Sequence, residues 1–212
     1  MPAGCHHRPV WWFYTVILGM SFGQVLGELA VAVREWARST RRPFLPGMLW
    51  QVFLLVLVVE VWLAVTYYRD TVTEISVLEL FAFLAVPAGI LIMSFLLPEA
   101  RLESGSELTP KAAFSRVRPI FFGVLIGFVV VNVLHDFLIG QQGWDLDLLF
   151  QGLIVGGAVV GLALRSTLAD TVLAAAMIVA VLVYIGLGYS TVAVQGSDAA
   201  AGLSAPGVSR LH

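Results

Sequence analysis

Gln24 and Glu28 stand four residues apart inside a long apolar run, VWWFYTVILGMSFGQVLGELAVAV, residues 10–33. On a helix, that spacing puts both side chains on one face. A carboxylate beside an amide can hold a small cation or exchange a proton. A charged group at membrane depth is costly, so it ordinarily faces a partner or water. The plainer alternative is a glutamate that snorkels to the interface near Arg34. Asn132 and Asp136 repeat the spacing in a second apolar run, and Glu60 stands alone in a third. Gln24, Glu28, Glu60, Asn132 and Asp136 are therefore the candidate binding or transport path. His135 and Glu79 are candidates for a proton relay, because imidazole titrates near neutral pH. An interfacial pair and a helix cap are their simpler roles.

Other chemistry finds no residues to carry it. The chain has no H-E-x-x-H, G-x-S-x-G or Walker loop. His135 is the one histidine in an apolar run, which gives no haem ligand pair, and no lysine lies in such a run. The single cysteine, Cys5, excludes an intrachain disulfide or a C-x-x-C centre. The reading is of a protein that is not an enzyme and needs no metal or cofactor. Net charge is −2, and the twelve Lys and Arg lie in loops, which argues against nucleic acid as a partner.

The elements that must position these residues follow from composition. Of 212 residues, 59% are hydrophobic and 12% charged, with mean hydropathy +0.91. A soluble domain carries about twice that charge fraction, so lipid must solvate much of the surface. Six runs are long enough to cross a bilayer as helices: about 10–33, 44–67, 75–97, 119–140, 146–164 and 168–189. None shows the alternation of a barrel strand. The first lacks a cleavage site and reads as a retained helix. Pro87 should kink the third helix. Trp11, Trp12, Tyr14, Trp50, Tyr67, Tyr68, Trp144 and Tyr189 are placed as interfacial aromatics.

The first and fourth runs align without a gap at an offset of 108 residues, FYTVILGMSFGQVLGE over FFGVLIGFVVVNVLHD. Gln24 meets Asn132 and Glu28 meets Asp136. The alternative is that two apolar helices coincide by composition. Three helices per copy would make a 3+3 inverted repeat, a plan common in transporters. Glycines at spacing four, Gly19, Gly23 and Gly27, then Gly123 and Gly127, then Gly152, Gly156, Gly157 and Gly161, mark close helix packing. That packing would be within the chain, or along a seam with a second copy or another membrane protein.

Nine of the basic residues fall between helices 1–2, 3–4 and 5–6, and three on the other side. The positive-inside rule then puts loops 34–43, 98–118 and 165–167 in the cytoplasm and both termini outside a bacterial inner membrane. The outer side is acidic, with Glu60, Asp70, Glu74, Glu79, Asp136, Asp145, Asp147 and Asp198, which would concentrate cations. In the loop 98–118, Thr109 and Pro110 read as the start of a short amphipathic helix. The tail 190–212 reads as disordered.

The chain resembles a type of uncharacterised bacterial six-helix integral membrane protein over residues 10–100. The resemblance lies in a glycine- and acid-bearing first helix running into an Arg-rich loop (GQVLGELAVAVREWARSTRR). It continues in a second helix with an early Trp (LPGMLWQVF) and a third with a mid-helix proline ending FLLPE. It implies the fold and carries no activity. The expectation is an all-α, polytopic membrane bundle of six transmembrane helices forming one domain. Residues 10–97 make one half, the loop 98–118 follows, and 119–189 make the other half. Its function is that of a small transporter or channel for a cation, proton or small solute. The alternative is a non-transporting component such as a sensor, assembly factor or partner subunit.

Overall fold

A computed structural model of the chain describes residues 8–38, 44–68, 76–97, 109–139 and 146–189. They form six α-helices: α1 (Arg8–Arg38), α2 (Leu45–Tyr68), α3 (Val77–Leu96), α4 (Pro110–Ile139), α5 (Leu146–Ala163) and α6 (Thr167–Gly188). All six are long and apolar enough to cross a membrane. Large apolar side chains remain exposed along them, among them Trp12, Phe13, Phe81, Phe95, Leu149 and Leu187. A surface of that kind is solvated by lipid, and the protein is an integral membrane protein with a six-helix fold.

Local chemistry sets several helix starts. Ser76 accepts from the Glu79 N–H while Glu79 accepts from the Ser76 N–H, a reciprocal cap on α3. Ser166 accepts from the Ala169 N–H and opens α6. Thr109 accepts from the Ala112 N–H at the start of α4. The short amphipathic helix expected there is instead the first part of α4, which continues through Pro119. Phe114 and Arg118 are buried, so tertiary contacts hold this extension in register. Residues 98–108 and the tail 190–212 lie outside the described residues. α3 runs through the buried Pro87.

Neighbouring helices close into a ring in the order α1, α2, α6, α5, α4, α3, with α2 also touching α3. Trp50, expected at an interface, is fully buried inside the ring. Its indole meets Phe53, Phe121 and Phe122 edge-on, with centroids 5.3, 5.4 and 5.1 Å away. Leu54, Leu57 and Leu125 complete this apolar stack between α2 and α4.

The inverted repeat finds no support in this arrangement. Exchanging halves would turn the α1–α3, α3–α4 and α2–α6 contacts into α4–α6, α6–α1 and α5–α3. None of those is an extensive contact among the described residues. α1 and α4 have 31 and 30 residues, about 45 Å each at 1.5 Å per residue. Both outrun the roughly 30 Å hydrocarbon layer. Their additions, residues 34–38 and 110–118, lie at the same end of the bundle. A two-fold axis in the membrane plane would put them at opposite ends.

The glycines divide into two groups. A methyl at Gly157 would meet the Met177 sulfur at 2.6 Å, and one at Gly161 would enter the Phe122 ring. Those two let α5 approach its neighbours. Gly19, Gly23, Gly27, Gly123, Gly127, Gly152 and Gly156 have nothing within 4 Å of an added Cβ. The expectation of close packing within the chain fails at these seven, because their helix faces turn outward.

Candidate functional site

Six crossings bring the starts of α1, α3 and α5 to one end of the bundle together with the ends of α2, α4 and α6. Among the described residues, the buried Glu60, His135 and Gln151 lie toward that end. Glu60 of α2 is 9% exposed and interacts electrostatically with the phenols of Tyr14 on α1 and Tyr184 on α6. The Tyr184 hydroxyl donates to Asp147 Oδ1 of α5 at 2.6 Å. Its ring stacks on Phe150 at 4.1 Å between centroids, nearly parallel. Gln151 donates to Asp147 Oδ2 at 3.3 Å. Asp147 and Gln151 are one helical turn apart, so a single face of α5 delivers both.

His135 adds a second limb. It is buried on α4, with its ring 5.9 Å from that of Phe83 on α3. Phe83 in turn meets Tyr14 at 4.3 Å and Trp11 at 5.2 Å. His135 also acts electrostatically on Glu79 of α3. The Glu79 carboxylate accepts the Ser76 N–H at 2.6 Å, so capping is its visible role. Asn132 is half-buried about one turn before His135. The Asp136 side chain lies outside the described residues.

Gln24 and Glu28 are elsewhere. Gln24 donates to Glu28 at 3.4 Å, and both are half-buried on α1. Glu28 lies 14 residues beyond Tyr14, about 21 Å farther along the axis. Of the expected path residues, Glu60 and the Gln24–Glu28 pair therefore stand at different depths of the bundle. Glu60 belongs to the polar cluster near the start of α1 and the end of α6, and the Gln24–Glu28 pair stands deeper. α1 and α4, the helices expected to be equivalent, have no extensive contact with each other.

Tyr14, Tyr184, Asp147 and Gln151 were absent from the sequence-based site. Asp147 and Gln151 carried the same four-residue acid–amide spacing as Gln24 and Glu28, in reverse order. Tyr14 was expected only as an interfacial aromatic, and Tyr184 was one residue of the sixth apolar run with no role assigned.

The opposite end holds a different arrangement. Arg118 of α4 pairs with Asp170 of α6 at 2.7 Å, with both side chains 8% exposed. Arg118 also donates to the Leu164 carbonyl at the α5–α6 turn and lies 5.8 Å from the Phe122 ring centre. Arg118 and His135 are 17 residues apart on α4, roughly 25 Å. The Trp50–Phe121–Phe122 stack lies between these levels. Among the described residues, no three His, Cys, Asp or Glu side chains converge as metal ligands. No protein-family model, no curated protein and no solved structure matches the chain, so the reading of its site stands on this geometry.

Proposed function

We propose that the protein carries protons or a small monovalent cation across the membrane, with Glu60 as the group that binds the charge. The observation behind this reading is the burial of Glu60 on α2, the helix that packs against both α1 and α6, with an electrostatic influence on the phenols of Tyr14 and Tyr184. A carboxylate in low dielectric is stable as an anion only with a cation or strong donors beside it, and otherwise takes up a proton. Either event changes the charge held there, which is the elementary act of a coupled carrier. Tyr184, Asp147 and Gln151 supply further oxygens and a route to the α5–α6 side. On this reading the basic end faces the cytoplasm of a bacterial cell and the Glu60 end faces outward. The buried aromatic stack between Glu60 and the basic end favours a carrier over an open channel on this reading.

The same stack favours one alternative, a membrane component that transports nothing and uses its polar end to bind another membrane protein or a second copy. One assay separates the two. Purified protein in liposomes should dissipate a pH or Na+ gradient, read by a lumenal dye, and Glu60→Gln should lower the rate at least tenfold. Absence of flux under every gradient would leave the component reading. Flux unchanged by Glu60→Gln would remove Glu60 from the path.

A further inference from the structure

The far end of the bundle contains a cavity of about 360 Å³ that the transport reading does not use. Four chain segments build it: Phe44 before α2, the first turns of α4, the α5–α6 turn, and the start of α6. Lys111, Ser115 and Arg118 follow at spacings of four and three, so one face of α4 carries all three into the wall. Arg165 comes from the turn, and Thr167 and Asp170 from α6. Three cationic side chains thus face one carboxylate, Asp170, which forms an ion pair with Arg118 while its Oδ1 has no hydrogen bond.

Arg118 has capacity to spare. It is 7% exposed, and its Nε is a buried donor with no hydrogen-bond partner. A buried donor left unmatched costs free energy that an incoming acceptor oxygen would recover. α4 and α6 both begin at this cavity, so the positive ends of two long helices add to the attraction for an anion. The remaining lining is apolar, including Phe44, Phe114, Pro119 and Leu162. A wall that is cationic on one side and greasy on the other matches a phosphate attached to hydrocarbon. Its depth, at the ends of the spanning helices, is where phospholipid head groups lie.

We propose that this cavity is a phosphate-binding site. The membrane's own anionic phospholipid is the source that fits the apolar wall, with free inorganic phosphate as the other source of the same chemistry. Arg118 and the exposed Lys111 and Arg165 hold the phosphate oxygens, and Phe44, Phe114 and Leu162 flank the chain that carries them.

The test uses the full-length protein in nanodiscs of phosphatidylcholine doped with phosphatidylglycerol, with bound lipid read by native mass spectrometry. A parallel arm titrates inorganic phosphate in detergent and reads the thermal midpoint. Phosphatidylglycerol should be retained over phosphatidylcholine. Lys111→Ala and Arg165→Ala should each weaken it about fivefold, as expected for one basic residue at an anionic head group. Both side chains are exposed, so the ligand-free thermal midpoints should match the parent and exclude misfolding. Stabilisation by millimolar phosphate without lipid preference, lost in the same variants, supports the site with free phosphate as its ligand. Binding of neither probe, or binding unaltered in the double variant, overturns the proposal.

Discussion

Arg118 and Asp170 show what a buried charge needs in this protein. Arg118 contacts a carboxylate, the Leu164 carbonyl and the Phe122 ring, and so joins α4 to both α5 and α6. Two charges withdrawn from water gain little net stability as a pair, but removing one partner strands the other. Arg118→Met should therefore destabilise the protein by about 3–5 kcal/mol, measured by unfolding in detergent. Arg118→Met combined with Asp170→Leu should recover most of that loss, because no buried charge is left over. A double variant as unstable as the single one would mean that the arginine acts through its carbonyl and ring contacts. The pair was hard to anticipate from sequence. Arg118 read as a loop cation, and Asp170 drew no attention beside Glu28 and Glu60. Which acid meets which base depends on helix rotation, which a residue string does not carry.

Helices apolar on every side give a clear signal for existence and a weak one for orientation. Lipid demands about twenty apolar residues per crossing, so all six helices were legible from the runs of Leu, Val, Ile and Phe. A helix with hydrocarbon outside and a packed core inside has no polar face to say which way it turns. That is why the glycine stripe of α1 was expected to face inward and instead lies open, while Gly157 and Gly161 of α5 meet Met177 and Phe122. The contrast is measurable. Gly161→Ala would drive a methyl into a ring that Trp50 and Arg118 hold in place, and should cost about 1–3 kcal/mol as overpacking. Gly157→Ala meets the flexible end of Met177 and should cost less. Gly23→Ala should be neutral or slightly stabilising, since alanine is the better helix former and nothing is in its way. Equal losses at Gly23 and Gly161 would indicate that the α1 stripe is covered, as in the seam with a second copy raised by the glycine spacing.

Across the whole molecule, charge and packing divide the bundle into three levels. The end where α1 starts and α6 finishes gathers Glu60, Asp147, Glu79 and His135 with two tyrosines. Trp50, Phe121 and Phe122 form an apolar layer about one helical turn from Arg118, on the side toward Glu60. The other end carries Lys111, Arg118 and Arg165 around a cavity. The basic end is built from residues that already entered the count of basic side chains, so the side assignment remains an expectation on which both functional readings depend. Under that assignment an acidic outer site would collect cations from outside, and a basic inner site would meet the anionic head groups of the inner leaflet. Accessibility labelling checks the assignment directly. In a Cys5→Ser background, single cysteines at Ser76→Cys and Leu146→Cys should react with a membrane-impermeant maleimide added to intact cells. Lys111→Cys and Arg165→Cys should react only after the cells are opened. The inverse pattern would place the Glu60 cluster on the cytoplasmic side. A carrier would then bind its cation from within the cell, and the phosphate cavity would face the outer leaflet.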